Sequence, residues 1–485
     1  MIHGNARTAR DVAESRCFQR RSANEPCAPP IALRVFARRH RKSSRAIVSA
    51  VLTPVRAAAV LLVVLVEVPA VTGPLDEDAV RLRATLPVLR KNLEEAVVRF
   101  WYPRVVDRVH GGYRVAFDAD GKPSPDGSKM IVTQARMVWL FSRLARAGHR
   151  APEMREAAAH GYRFLVDRMR DPQHGGYFWE VDETATRVAD ATKVIYGQAF
   201  ALYALSEYAQ LTKDETVLAR ATELFEAVDR HAHDGAFGGY FEVFERDWSP
   251  PPASKASPIG GPPGAKLMNT HLHLLEAIAE YYRASASPPA RERLFELVAI
   301  EGNTVVRKEL TACTDEYRRD WTPILEGSAA DVSYGHDVEN VWLLSDAVQT
   351  LGQSNALWLD LYRRLFDYSY RYGYDRQQGG FFSRGPFNTA ADEREKIWWV
   401  QAEGLVSALT MFTLTREATY ARVFEETLRW IDEKQTDWRV GEWHAEVLPD
   451  GSTRGVKGDR WKAGYHNGRA LLESIRLIES LTDER

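Results

Sequence analysis

A Gly-Gly-aromatic turn recurs at a nearly fixed period along most of this chain, and that recurrence restricts the fold more than any other feature of the sequence. It reads HGGYRVAFD from His110, HGGYFWEVD from His174, FGGYFEVFE from Phe237 and QGGFFSRGP from Gln378, with a weaker form, VGEWHAEVLPDG, from Val440. Counted from the first glycine of each (Gly111, Gly175, Gly238, Gly379 and Gly441), the intervals are 64, 63, 141 and 62 residues. The long interval is about two periods, so a degenerate unit is expected inside it, near TDEYRRDWTPI at 314–324, giving six units.

Between the turns the sequence reads as pairs of helices. TQARMVWLFSRLARAG (133–148) followed by EMREAAAHGYRFLVDRMR (153–170) places apolar residues at three- and four-residue spacing in both segments. Six such pairs make twelve helices, and full units at both ends of the repeat region favour closure over an open solenoid. The expected fold is all-α: an (α/α)6 barrel, a toroid of six helix pairs, with short β-hairpin turns on one rim. The 485 residues then divide into a segment 1–73 and a single barrel domain, 74–485.

Segment 1–73 reads as an address. Residues 34–45 (RVFARRHRKSSR) are basic, 57–66 (AAAVLLVVLV) form a ten-residue apolar run, and 68–73 (VPAVTG) are small and turn-prone, the layout of a secretory signal cleaved between Ala70 and Pro74. Ten helical residues rise roughly 15 Å, about half a bilayer core, so no stable membrane span is expected. Export, periplasmic or secreted, is the expectation over a cytoplasmic location. Residues 1–56 hold 12 Lys/Arg against three acids, whereas 73–485 hold 52 basic and 62 acidic residues, a net charge of −10. A nucleic-acid partner is excluded for the barrel, because phosphate binding needs a clustered basic surface. Cys17 and Cys27 lie in the basic segment and Cys313 alone in the barrel, so no disulfide forms there and cysteine content does not report the compartment.

Four segments depart from ordinary core composition: MNTHLHLLEA (268–277), SYGHDVENVWLL (333–344), KIWWVQAEGL (396–405) and WKAGYHNGR (461–469). Each precedes or opens a helical pattern, so inner helices would carry their polar residues to the barrel axis, with His271, His273, His336 and His466 as candidates. Zinc is one rival. His271 and His273 are two apart, about 200° on a helix and on one face only if extended; the chain has no HExxH and no Cys ligand set. Paired carboxylates for glycoside hydrolysis are the other, with Glu276, Glu339 and Glu403 available. No nucleophile elbow, phosphate-cradling loop or dinucleotide fingerprint occurs.

Taken together, MNTHLHLLEA, SYGHDVE, WWVQAE and WKAGYHNGR, with TQAR at Thr133 and YGQAFALYALSEY at Tyr196, resemble the motifs of the N-acylglucosamine 2-epimerase superfamily, most closely its cellobiose 2-epimerase branch. The resemblance runs from about Leu86 to Leu477. It implies an (α/α)6 fold, in agreement with the repeat count, and a sugar substrate inverted at carbon 2 of the reducing-end glucose or mannose unit of a disaccharide such as cellobiose or mannobiose. By resemblance His336 and His466 are the acid/base pair on opposite faces of carbon 2, His273 lies near the ring oxygen or O1, and Arg136 faces the cis-enediolate. Histidine suits both duties because its unperturbed pKa of about 6.5 allows either protonation state near neutrality. Tyr196, Asn269 and Glu339 match pocket positions, and Trp399 (or its neighbour Trp398) and Trp461 match tryptophans that stack on sugar faces. No metal, nucleotide or redox cofactor is implied. A monosaccharide 2-epimerase or an aldose–ketose isomerase shares the enediolate and stays open as an alternative, with a glycoside hydrolase or a noncatalytic glycan-binding toroid behind it. Two features depart from the family pattern: Lys462-Ala463-Gly464-Tyr465 before His466, and the insertion SPPPASKASPIGGPPGAK (249–266), which reads as a mobile loop, either a lid or a surface excursion.

Overall fold

The computed structural model describes residues 77–125, 127–307 and 309–481; the basic segment and the apolar run expected to act as an export signal lie outside them. Among the described residues no helix is long and apolar enough to cross a membrane.

Six inner helices, Ile131–Arg146, Ile195–Thr212, Met268–Ser285, Tyr334–Thr350, Trp398–Thr415 and Tyr465–Ser480, each pack against the next, and the sixth packs back on the first. Five outer helices, Ala151–Phe164, Glu215–Ala232, Pro288–Ile300, Leu359–Tyr372 and Ala418–Trp430, surround them. The sixth outer position is filled by the helical run that begins with Leu86–Lys91 and ends with Arg99–Trp101. The result is an (α/α)6 barrel.

Burial separates the two layers. The inner helix Ile195–Thr212 is buried at every position except Gln210 and Thr212, as a helix with neighbours on all sides must be. The outer helix Leu359–Tyr372 buries Tyr362, Leu365, Phe366, Tyr368 and Ser369 and turns Asp360, Arg364, Asp367 and Arg371 to solvent. Outer helices also carry their own start signals: Asp214 caps Glu215–Ala232 by accepting from Thr216 N, and Ser287 caps Pro288–Ile300 by accepting from Ala290 N.

Inner helices begin differently. The short strand before each of the first five pairs with the strand that follows the turn of the next unit: Lys129–Met130 with Glu180–Val181, Lys193–Val194 with Val243–Phe244, Lys266–Leu267 with Glu316–Tyr317, Asp331–Ser333 with Arg384–Pro386, and Lys396–Ile397 with Glu446–Val447. The first N–H of the helix then reaches the carbonyl of the residue just before that neighbouring strand, as in Ile131 N to Trp179 O (3.0 Å), Ile195 N to Glu242 O (2.9 Å) and Met268 N to Asp315 O (2.9 Å). Between the sixth and first units the seam is closed by Phe117 N donating to Gly458 O at 2.8 Å.

Each turn spans eight residues and is closed by a bridge between its ends: Val106 with Tyr113, Arg170 with Tyr177, His233 with Tyr240, Tyr374 with Phe381 and Thr436 with Trp443. The sixth unit expected inside the long interval is present, and its turn is the hairpin of Val306–Arg307 with Ala312–Cys313, just upstream of the segment 314–324. It contains no glycine; Thr311 takes the positive φ (59°) that Gly111 takes in the first turn. In the first, second, third and fifth turns the second glycine is required by a clamp from the inner helix, whereas in the sixth Glu442 holds that place at φ 63°. Gln134 accepts from Tyr113 N and donates to Tyr113 O, both at 2.8 Å, and a Cβ on Gly112 would stand 2.6 Å from its Oε1. Gln198 and Gln401 clamp Tyr177 and Phe381 in the same way. A buried ion pair supports the turn as well: Asp107–Lys129, Asp171–Lys193, Asp234–Lys266 and Asp375–Lys396, at 2.8 to 3.1 Å. At the fourth turn the corresponding residues are Arg307 and Val332. Both partners are exchanged together, which avoids leaving one buried charge uncompensated.

In the fourth unit the clamp is Asp337, whose Oδ1 accepts from Cys313 N at 2.8 Å while the Ser369 hydroxyl lies 3.2 Å from Oδ2. Burial raises its pKa from 3.8 to about 8, so the neutral acid stands in for the Gln amide. The folded value lies above the unfolded one; its contribution to stability is therefore complete below pH about 4 and is lost as the pH rises toward 8. Asp337→Asn removes that loss. The expected result is a melting temperature that gains on the unaltered protein steadily from pH 5 to pH 8, measured by circular dichroism; a difference that does not change with pH defeats the assignment.

Candidate active site

In the sixth unit the position of the clamp is held by Asn467, whose Nδ2 donates to the Glu442 side chain at 2.7 Å. Two residues beyond each of these positions a helix has turned about 200°, so the side chain at that spacing faces the axis. The six residues in that register are Arg136, Phe200, His273, Glu339, Glu403 and Arg469. His271 is the clamp of the third unit: its Nε2 accepts from Tyr240 N at 2.9 Å, its Nδ1 lies 2.7 Å from Leu267 O, and burial lowers its pKa to about 4. His271 and His273 therefore point to opposite faces of one helix, which removes them as a joint metal site.

Arg469 organises the axial layer. Its Nη2 donates to Glu339 Oε1 (2.9 Å) and Glu403 Oε1 (2.8 Å), and its Nη1 bonds Glu276 and the Tyr465 hydroxyl. The carboxylates pass this order on to two histidines: Glu276 Oε2 lies 3.0 Å from His273 Nδ1, and Glu403 Oε1 lies 2.6 Å from His466 Nδ1. Trp342 Nε1 secures the second oxygen of Glu403 at 2.8 Å. With Nδ1 engaged, Nε2 is the nitrogen left for a reactant in both rings. Burial lowers the pKa of His273 to about 4, and burial with Arg136 and Arg469 nearby takes that of His466 well below its ordinary value, so both rings are neutral at pH 7. Burial raises Glu276, but Arg469 more than offsets this and keeps it ionised; burial and the Glu403 charge raise Glu339 to about 8.

Arg136 sits above this layer without a counter-ion. Nη1 donates to the Trp461 carbonyl at 2.8 Å, Nη2 to the Tyr196 hydroxyl at 3.1 Å, and the guanidinium lies between the rings of Phe200 (4.3 Å) and Tyr465 (5.0 Å). Among the described residues no carboxylate is in ion-pair range of it. The ring of Trp399 lies 5.0 Å from His336 and 5.9 Å from His466, and so bridges the two histidines. Trp461 leans on Trp179 at 6.2 Å. Asn269, the second residue of its inner helix, has a buried Oδ1 with no partner among the described residues. Trp398 stands apart, 5.6 Å from Lys462 Nζ, so of the two neighbouring tryptophans Trp399 is the one brought to the histidines.

This arrangement does not fit either rival chemistry. Glu276, Glu339 and Glu403 all accept from one guanidinium, so none of the three is free to act as a separate acid or nucleophile for glycoside hydrolysis. Glu339, Glu403 and His466 are grouped closely enough to hold a cation, but Arg469 already directs its donors at both carboxylates.

A model of the N-acylglucosamine 2-epimerase family matches residues 111–470, which include every axial residue above. The chain belongs to the N-acylglucosamine 2-epimerase family. Within the family it is 28% identical over 390 residues to the cellobiose 2-epimerase of Bacteroides fragilis, covering 80% of this chain and 97% of that enzyme. The structure of cellobiose 2-epimerase from Spirochaeta thermophila superposes with a TM-score of 0.75 at 32% identity, over 82% of this chain and 98% of that one. A D-mannose isomerase from Marinomonas mediterranea is 24% identical over 403 residues, 79% of this chain and 95% of that enzyme.

Family motifs led to Arg136, Tyr196, Asn269, His273, His336, Glu339, Trp399, Trp461 and His466, and the structure places all of them at the axial end of the barrel where the inner helices begin. They did not single out Arg469, or give Glu276 and Glu403 the task of holding histidines. The clamp register identifies Glu403 and Arg469 once the clamps are known. Asp315, 3.7 Å from His336, had no such signal, because it follows the turn that has lost its glycines. The insertion is laid against the barrel rather than free of it: Lys255 Nζ donates to Thr192 Oγ1 at 2.9 Å, and the loop covers a cavity of about 340 Å³ lined by Phe244, Trp248 and Pro250.

Proposed function

We propose that this protein inverts carbon 2 of the reducing-end glucose or mannose unit of a disaccharide of the cellobiose or mannobiose type. The observation that carries the reading is Arg136, a buried guanidinium with no counter-ion, beside neutral histidines. A fixed cation in a site of that kind is matched to an anion that exists only during reaction, and the enediolate formed when a sugar loses the proton at carbon 2 is such an anion. The ring opens with His273 near O1 and the ring oxygen. One of His336 and His466, with a free lone pair at Nε2, takes the proton from carbon 2 and Arg136 holds the enediolate oxygens; the other, having taken a solvent proton onto Nε2, gives it to the opposite face of carbon 2, and the first then releases its proton to solvent. Tyr196, Asn269 and Glu339 bind hydroxyls, and Trp399 and Trp461 offer their faces to the sugar. Return of the proton to carbon 1 instead gives a ketose, the outcome suggested by the similarity to D-mannose isomerase. The N-terminal pattern supports export of the mature enzyme.

Incubation with cellobiose, mannobiose, glucose and mannose in deuterated water, read by carbohydrate NMR, tests the reading. Disaccharide epimers carrying deuterium at carbon 2 are expected. Ketose products favour the isomerase, and released monosaccharides refute both. Prolonged EDTA or phenanthroline treatment is expected to leave turnover unchanged, since the proposed steps use histidine and arginine; loss restored by stoichiometric zinc overturns the mechanism.

A further inference from the structure

His273 and His466 each have a carboxylate bonded to Nδ1, whereas His336 does not. It is the third residue of the inner helix Tyr334–Thr350, its side chain is 14% exposed, and its Nδ1 is buried without a hydrogen bond. The group facing that nitrogen is Asp315, with Oδ1 at 3.7 Å. Asp315 is firmly held. Its carbonyl accepts from Met268 N at 2.9 Å, its strand neighbours Glu316–Tyr317 pair with Lys266–Leu267, and its Oδ2 faces Arg384 Nη2 at 3.5 Å. Burial on its own raises the Asp315 pKa, and His336 and Arg384 more than offset this, so the group is an ionised acceptor.

We propose that Asp315, anchored by Arg384, is a positioning residue that holds His336 in the Nδ1–H tautomer and so presents the Nε2 lone pair to carbon 2. The inference rests on the reading of His336 as one of the two proton-transfer groups. An ionised carboxylate is acceptor-only, so the nitrogen facing it must carry the hydrogen, and the other nitrogen is then the base. A gap of 3.7 Å closes to a bond with about 1 Å of ring movement, a tightening common when an unliganded site takes up its reactant. The same position, two residues past the closing residue of the turn, carries Val115 in the first unit, Trp179 in the second, Ser383 in the fifth and Ala445 in the sixth. In the third unit it carries Glu242, which burial raises to about 8 and so keeps neutral. Among the six units, only the fourth delivers an ionised acid there, to the unit that carries His336.

The test uses Asp315→Val, which installs the residue of the first unit, Asp315→Glu as the conservative variant, and Arg384→Met should the valine variant fail to fold. Histidine-selective 15N NMR of the full chain reports the His336 tautomer without reference to activity. The Nδ1–H pattern is expected in the unaltered protein, a mixed pattern in Asp315→Val, an intermediate one in Arg384→Met, and recovery in Asp315→Glu. Net epimerisation is expected to fall about 10- to 100-fold through kcat with little change in KM. Exchange of the carbon 2 proton with deuterated solvent is expected to become one-sided. The epimer whose C2–H faces His466 keeps exchanging, while the other loses exchange in step with epimerisation. A His336 pattern unchanged by Asp315→Val overturns the proposal, as does equal loss of exchange from both epimers, which marks a general structural defect. Tautomer changes in a protein that exchanges no sugar at carbon 2 uphold the positioning role and refute the proton-transfer reading instead.

Discussion

Alanine at His336 or at His466 lowers turnover by about two to four orders of magnitude while the thermal transition stays close to that of the unaltered protein. Each histidine serves one face of carbon 2, so losing either blocks the forward and the return reaction alike, and the double variant is expected to be little worse than the weaker single one. The fold tolerates both changes because the acids left behind keep other partners. Glu403 retains Arg469 and Trp342 after His466→Ala, and Asp315 retains Arg384 after His336→Ala. Steady-state kinetics alongside melting curves decide the matter. Near-normal turnover in either folded variant takes that residue out of the mechanism.

Two buried arginines at the axis are expected to behave in opposite ways. Arg469→Met leaves Glu276 and Glu403 charged and uncompensated in a dry interior, and removing one partner of such a group costs about 3–5 kcal/mol. Arg136→Met strands no carboxylate, so urea unfolding of that variant is expected to match or exceed the unaltered protein. Its loss appears in the chemistry: a missing donor to a developing oxyanion lowers kcat about 10²- to 10³-fold. If Arg136→Met unfolds as easily as Arg469→Met, the unpaired guanidinium is part of the scaffold and the reading of the site fails with it.

The repeat was legible because each turn needs a backbone that few residues allow. Gly112 must leave room for Gln134, and the same geometry recurs at Gly380 with Gln401, so the glycines keep the period visible. At the fourth turn Thr311 and Ala312 do without them, Asp337 does the work of a glutamine as a neutral acid, and the Asp–Lys pair is gone; the unit could be counted from spacing, but its turn was placed a few residues late. The histidines and Arg136 were legible through family motifs. Arg469 was not, since an arginine four residues after a tyrosine on a helix is unremarkable until three carboxyls from other helices, 66 to 193 residues away, converge on it.

Five inner helices start on a strand lent by the next unit, and at the sixth a bridge between Phe117 and Gly458 takes the strand's place, so the barrel has six seams, one of which lies between the first and last units of the described residues. That seam is held by the backbone pair of Phe117 and Gly458, with Arg90 bonded to Glu479 at 2.6 Å. A chain joined across that seam and reopened in the loop between Ile195–Thr212 and Glu215–Ala232 retains every seam and every axial residue, so the order of the units around the circle is fixed by what each hands to its neighbour rather than by where the polypeptide is cut.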